Sequence, residues 1–105
     1  MSIEEELQDQ LDYLKLPTTK WVRGMPGHKD RACLVVRNAG DAGLGMNAGM
    51  WLAKWLDFGG YVKRNDPTSP FFLPATYWND KVASGKEQVI EVLEKAIAAA
   101  GEEGV

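Results

Sequence analysis

Residues 84–97 read SGKEQVIEVLEKAI, and the pattern of this stretch decides the predicted fold class. Its apolar residues recur at the three- and four-residue spacing that places side chains on one face of a helix. Ser84 and Glu87 match a capping box, in which each side chain accepts from a backbone amide at the helix start. Gly101 is suited to end this helix, because glycine is common just after the last helical residue. The sequence therefore predicts a helix over residues 85–100, whose apolar face consists of Val89, Ile90, Leu93, Ala96, Ile97 and Ala100.

The residues that precede this helix, Trp78, Asn79 and Asp80, have two interpretations. An aromatic, an amide and an acid side by side are typical of a binding site. Asn and Asp also form turns in which their side chains bond to nearby backbone amides, and Trp78 would then cover the end of the helix. We favour the structural interpretation, because it accounts for all three residues without a ligand.

Two further helices are predicted. Over residues 3–15, Ser2 and Glu5 match a capping box, and Pro17 disfavours any continuation of the helix. The apolar stripe of this helix consists of Ile3, Leu7, Leu11 and Leu14.

Over residues 47–58, Asn47 is a suitable N-cap, and the two glycines after the segment are suitable stops. Trp51, Trp55 and Phe58 follow helical spacing. Such a stripe is usually part of the core, and an exposed aromatic interface is the alternative.

The remaining segments leave one alternative for the fold. Residues 59–84 contain three prolines and many aromatic residues, so we predict a long, ordered, aromatic-rich connector. Residues 32–37 include three successive branched residues, which favour a short strand but do not exclude a buried helix. We predict a mainly α single domain, residues 1–105, with three to four helices. The alternative is an α+β fold with a short strand near residues 32–37.

Composition narrows the class of protein. One cysteine, Cys33, and one histidine, His28, provide neither an internal disulfide nor a zinc site. We therefore predict a cytoplasmic location and no cofactor or metal. The acidic N-terminal residues do not resemble a secretory signal, and no apolar stretch approaches the ~20 residues that cross a bilayer. The sequence predicts a soluble protein with no membrane partner.

Catalytic patterns are weak. The glycines of residues 40–45, GDAGLG, precede a predicted helix but lack the lysine and hydroxyl residue of a phosphate-binding loop. His28 and Cys33 have no diagnostic spacing toward an acid. An enzyme or small-ligand binder that uses these residues is the least favoured hypothesis, and we predict no catalytic residue.

Charge is unevenly distributed along the chain, although the net charge is only −3. Residues 15–64 hold nine bases and three acids, and both ends are acidic. The basic segment 20–37 contains Trp21, so phosphate contacts and base stacking are both available to it. An accessory nucleic-acid-binding protein is therefore the second hypothesis, although the sequence pI of about 5.1 argues against it.

The leading hypothesis is a non-enzymatic protein-interaction module. Abundant aromatic residues, segregated charge and the lack of a catalytic constellation favour it. Its partner is a protein, and self-association into a homo-oligomer stays open. The candidate partner-binding residues are Trp21, Arg23, Lys29, Arg31, Phe71 and Phe72.

The chain also resembles a family of small uncharacterised proteins of actinobacteria and their phages. The matching residues are Trp21, Gly24, Cys33, Leu34, Ala39, Trp78, Asn79, Asp80, Val89, Leu93 and Ala96. The resemblance implies a mainly helical fold in which the segment CLVVRNAG is helical. It also implies a phage origin, but it supplies no function. Combined with the leading hypothesis, this origin predicts a small phage protein that binds or modulates a host protein. It implies no catalytic residue.

Overall fold

The computed structural model of the chain describes residues 2–22, 31–32, 44–62 and 78–105, and the side chains of all of these except residues 31, 32 and 80. The predicted mainly helical fold is confirmed. The elements in chain order are α1 (Ile3–Lys15), β1 (Lys20–Trp21), β2 (Arg31–Ala32), α2 (Met46–Phe58), a π-helical turn (Trp78–Val82) and α3 (Lys86–Glu103).

Helices α1 and α3 pack side by side and antiparallel. The first turn of α1 meets the end of α3, where the Glu4 amide donates to the Val105 carbonyl at 3.0 Å. At the other end, Lys15 lies 3.8 Å from the Glu94 carboxylate. Helix α2 packs against α1, and the core lies between the three helices. Its largest fully buried side chains include Leu7, Leu14, Leu52, Leu56, Trp78, Val89 and Leu93.

The start of α1 is fixed by the predicted capping box. The Glu5 amide donates to Ser2 Oγ at 3.1 Å, and the Ser2 amide donates to Glu5 Oε1 at 3.2 Å. The helix ends at Lys15, Leu16 is extended, and Pro17 follows. Local sequence signals therefore determine both ends of this helix.

The capping box predicts a pH dependence of stability. The Ser2 backbone N–H, and then the Ser2 hydroxyl, hold the pKa of Glu5 below its usual value. A carboxyl whose folded pKa is depressed contributes stability above its unfolded pKa, and this contribution is lost as the pH falls through the folded pKa. We expect Glu5→Gln to be less stable than wild type at neutral pH. The difference should shrink as urea titrations are repeated below about pH 4.5, and a difference that stays constant would contradict the account.

The predicted capping box at the start of α3 is wrong. The N-cap is Gly85, in an extended conformation. Because glycine has no side chain, the N-cap residue makes no side-chain hydrogen bond to the first amides of the helix. Because Gly85 places the first helical residue at Lys86, position N3 is Gln88. Gln88 Oε1 accepts from the Ser84 amide at 2.6 Å and from the Ser84 hydroxyl at 3.0 Å. Glu87 is exposed in the first turn, where its charge suits the helix dipole.

The predicted Asn47 cap of α2 is also wrong. The N-cap is Gly45, and Asn47 lies within the first turn. The Gly45 amide donates to Glu6 Oε1 of α1 at 2.9 Å, so a distant carboxylate holds the start of α2. The two glycines do end the helix, with Gly59 as its C-cap and Gly60 at a φ of 80°.

Lys86 joins the start of α3 to the end of α1. Its ammonium group donates to the Leu16 carbonyl at 3.1 Å and also to the carbonyl of Thr19, which is a buried residue. These carbonyls follow the last turn of α1, where a cation is favoured by the helix dipole. The lysine therefore links the segment after α1 to the first residue of α3, and the Leu16 carbonyl also accepts from the Thr19 amide at 3.0 Å.

Replacing Lys86 with methionine should lower the free energy of unfolding by about 1–3 kcal/mol, because charge-assisted hydrogen bonds to backbone carbonyls are lost. Chemical denaturation measures this change. Lys95→Met is the matched control. Lys95 pairs with Glu91 at 3.3 Å on an exposed helix face, and such a pair contributes only about 0.3–0.5 kcal/mol. Equal losses in the two variants would contradict the bridging role.

The α+β alternative is supported, within the described residues, by one pair of two-residue strands. Strands β1 and β2 pair in parallel, with Lys20 opposite Arg31 and Trp21 opposite Ala32. The predicted strand near residues 32–37 overlaps this pair at Ala32, and residues 33–37 lie outside the described part of the chain. Of the predicted connector 59–84, residues 63–77 also lie outside it.

Candidate functional site

Helix α2 is apolar on more than its core face. Its thirteen residues, MNAGMWLAKWLDF, include two charged ones, Lys54 and Asp57. The core face consists of Ala48, Leu52 and Leu56, which are buried. A helix that is apolar all round is normally buried all round. The opposite side of α2 therefore distinguishes this helix from an ordinary surface helix.

The side of α2 that faces away from the core exposes three large apolar residues. Met46 is 80% exposed, Met50 is 55% exposed and Phe58 is 82% exposed. These residues lie on one row at four-residue spacing, with Lys54 as the fourth member. We call the row Met46, Met50, Lys54 and Phe58 the outer stripe. Exposed apolar side chains grouped on one side of a helix are typical of a contact surface.

Part of the aromatic stripe predicted for the core is exposed. Trp51 and Trp55 are half-buried and pack against the core, whereas Phe58 faces solvent. The core interpretation of Phe58 is therefore wrong. Phe58 is the last residue of α2, and its position on the helix is rotated from Trp55 toward the exposed side.

Four aromatic rings, two of them on α2, contact one another in a row that leads from α2 into the core. Trp51 stacks on Trp55 with ring centroids 6.4 Å apart, and Trp55 stacks on Tyr61 at 5.2 Å. Tyr61 then meets Trp78 edge to face at 6.5 Å. Because Trp78 is buried, the row connects the helix to the core. This packing anchors α2, and with it the outer stripe, to the core.

A groove of about 530 Å³ lies beside the outer stripe. It is formed where α2 meets the first turn of α1 and the two residues that follow α3, Gly104 and Val105. Ile3, Met50, Trp51 and Val105 give it an apolar lining, and Glu6 and Lys54 are polar residues at its wall. Met50 belongs to both the groove and the outer stripe. The two features therefore form one continuous surface.

Trp21, one of the predicted partner-binding residues, makes a hydrogen bond within the fold. Trp21 is half-buried, and its indole N–H donates to Asn79 Oδ1 at 2.8 Å. Arg31 contributes backbone to β2, and its side chain lies outside the described residues. The other predicted partner-binding residues, Arg23, Lys29, Phe71 and Phe72, also lie outside them. His28 and Cys33 do so as well.

Asn79 makes a long-range bridge rather than the predicted local turn. It is buried, and its Nδ2 donates to the Val22 carbonyl at 3.2 Å while its Oδ1 accepts from Trp21. These contacts, which the predicted local turn does not include, join residues more than fifty positions apart in the sequence. Trp78 packs within the core, and the side chain of Asp80 lies outside the described residues.

The described residues contain no group of three or more His, Cys, Asp or Glu side chains that could hold a metal ion. No helix in the described part of the chain has the length and apolarity needed to span a membrane.

Comparisons with known proteins return no match to a protein-family model, to a curated protein or to a solved structure. The resemblance to the actinobacterial and phage family therefore stays a prediction.

Sequence reasoning missed the outer stripe, although the sequence carried one signal of it. The thirteen residues of α2 include only two charged ones, whereas a helix that packs on a core with one face usually carries charged or polar residues over its opposite face. Met46 was overlooked because the predicted helix began one residue later, at Asn47.

Proposed function

We propose that this domain is a non-enzymatic protein-interaction module that contacts a partner protein through the outer stripe of α2. The exposure of Met46, Met50 and Phe58 on one side of a helix that stacked aromatic rings join to the core carries the proposal. Methionine suits such a surface because its flexible, polarisable side chain adapts to a partner. An aromatic side chain such as Phe58 adds a large contact area.

The proposed location is the cytoplasm, because one cysteine provides no internal disulfide. A phage origin rests on the family resemblance alone, and a host partner is the proposed interaction combined with that origin. Nucleic-acid binding is less well supported than protein binding. Trp21 is half-buried with its indole N–H bonded to Asn79, and this limits its use as a stacking platform.

The test is affinity purification from a nuclease-treated lysate of the organism that encodes the chain, followed by mass spectrometry. Wild type is compared with the double variant Met46→Asp/Met50→Asp. The control is Val82→Asp, which alters an exposed apolar residue outside α2. Each variant is first shown to unfold cooperatively.

We expect one protein that wild type and Val82→Asp retain and that the double variant binds at least about tenfold more weakly. Capture that is equal in all three would contradict the proposed surface. Capture that disappears with nuclease would replace it with nucleic-acid binding.

A further inference from the structure

Glutamates cluster beside the groove, where the first turn of α1 meets the end of α3. Glu6 lines the groove directly, and Glu4 and Glu5 stand in the same first turn of α1. The Glu4 carboxylate lies against Gly101 of α3, which brings Glu102 and Glu103 to the same end of the molecule. Among the described residues that line the groove, Lys54 is the basic one.

Four of these five carboxylates are exposed at the surface, and the fifth, that of Glu6, is held at the groove wall. Glu102 and Glu103 are exposed, and Glu4 and Glu5 are exposed at the surface of α1. The bonds from Ser2 lower the pKa of Glu5, which favours its ionised form. Glu6 Oε1 is held by the Gly45 amide, so this carboxylate is fixed at the groove wall.

We propose that the groove binds a basic amphipathic helix of the partner protein. This inference rests on the proposed function and specifies the chemistry of the partner. The apolar side of such a helix would lie on Ile3, Met50 and Trp51, and its lysines and arginines would face the glutamates. An apolar groove that contains Met50 and has glutamates beside it is complementary to both faces of that ligand.

The two kinds of contact have different roles. Exposed ion pairs contribute little affinity each and are screened by salt, so the apolar lining supplies most of the binding energy. The glutamates increase the association rate and select basic over acidic segments. Binding should therefore weaken with salt without being abolished.

The test uses fluorescence anisotropy with a labelled synthetic peptide, LKKLLKLLKKLLKL, whose leucines and lysines occupy opposite helical faces. A scrambled peptide of the same composition and a peptide with glutamate in place of lysine are the ligand controls. Glu102→Gln/Glu103→Gln tests the cluster of glutamates, and Glu91→Gln/Glu94→Gln is its control, with the same change in net charge on exposed residues of the same helix. Met50→Gln tests the apolar lining, and Val82→Gln is the matched change of an exposed apolar residue outside both the groove and the outer stripe.

We expect the amphipathic basic peptide to bind more tightly than either control peptide. Glu102→Gln/Glu103→Gln should weaken binding about threefold at low salt, and Met50→Gln about fivefold, whereas both control variants bind as wild type. No binding, equal binding of the scrambled peptide, or equal effects of the two glutamate pairs would overturn the inference.

This assay requires no natural partner, so its failure is separable from failure of the proposed function. If the peptide fails to bind while capture of the partner still depends on Met46 and Met50, only the basic-helix inference is overturned. If capture of the partner is independent of those methionines, the proposed function is overturned whatever the peptide does.

Discussion

Replacing Trp78 with alanine is expected to lower the free energy of unfolding by about 3–5 kcal/mol. Trp78 is 1% exposed and lies in the core cluster with the leucines of α1 and α2. The substitution removes a large apolar area and leaves a cavity that the surrounding helices fill only in part. It also removes the ring at the inner end of the aromatic row that supports α2.

Urea denaturation followed by circular dichroism measures the loss for Trp78. Phe58→Ala is the control, because Phe58 is 82% exposed and its truncation should change stability by less than about 0.5 kcal/mol. If Trp78→Ala unfolds the domain entirely, Trp78→Leu keeps part of the volume and permits a measured value. Similar effects at positions 58 and 78 would contradict the placement of both side chains.

The second large effect is expected at Asn79. Replacing it with alanine should cost about 2–3 kcal/mol, because the Trp21 indole N–H and the Val22 carbonyl lose the partner that the structure gives them. Asn47→Ala is the matched control, since Asn47 is exposed on α2. Its effect should lie within about 0.5 kcal/mol.

A double-mutant cycle isolates the bond between Asn79 and Trp21. Trp21→Phe removes the indole N–H and keeps an aromatic ring. Because the two residues share a hydrogen bond, we expect a coupling energy of about 1 kcal/mol between the substitutions. Fully additive losses would show that the bridge does not form in solution.

Local signals predict the elements whose ends are determined locally. The capping box of α1 joins Ser2 to Glu5 three residues away, and Pro17 acts on the residues beside it. Both can be recognised without knowledge of the rest of the chain. The glycines after α2 end the helix for the same reason, since Gly60 adopts a positive φ that other residues rarely adopt.

Predictions failed where distant residues decide the structure. Glu6 of α1, thirty-nine positions from Gly45, holds the start of α2, so Asn47 is not needed as a cap. Asn79 bonds to Trp21 and Val22, although a local turn was equally consistent with its sequence context. The errors at α3 are local instead. Gly85 moves the box partner from Glu87 to Gln88, and the helix continues through the predicted stop, Gly101, to Glu103, where Gly104 at a φ of 75° is the C-cap.

The candidate site could not be derived from periodicity alone. Trp51, Trp55 and Phe58 follow one helical spacing, but which of them is covered depends on where α1 and the turn after α2 lie. The cluster of glutamates beside the groove also depends on tertiary packing. Glu4, Glu5 and Glu6 are far in sequence from Glu102 and Glu103, and the antiparallel packing of α1 and α3 brings them together.

The central claim is that the outer stripe of α2 is exposed in the free protein and available to a partner. Methionine oxidation by dilute peroxide, followed by peptide mass spectrometry, tests it directly, because exposed thioethers oxidise faster than buried ones. The rates of Met46 and Met50 in the folded protein are compared with those in the urea-unfolded protein, over a series of protein dilutions. We predict folded-state rates within about threefold of the unfolded rates, with Met46 faster than Met50, as their 80% and 55% exposures require. Strong protection of both methionines at every dilution would show that the protein covers this face itself, and would contradict the account.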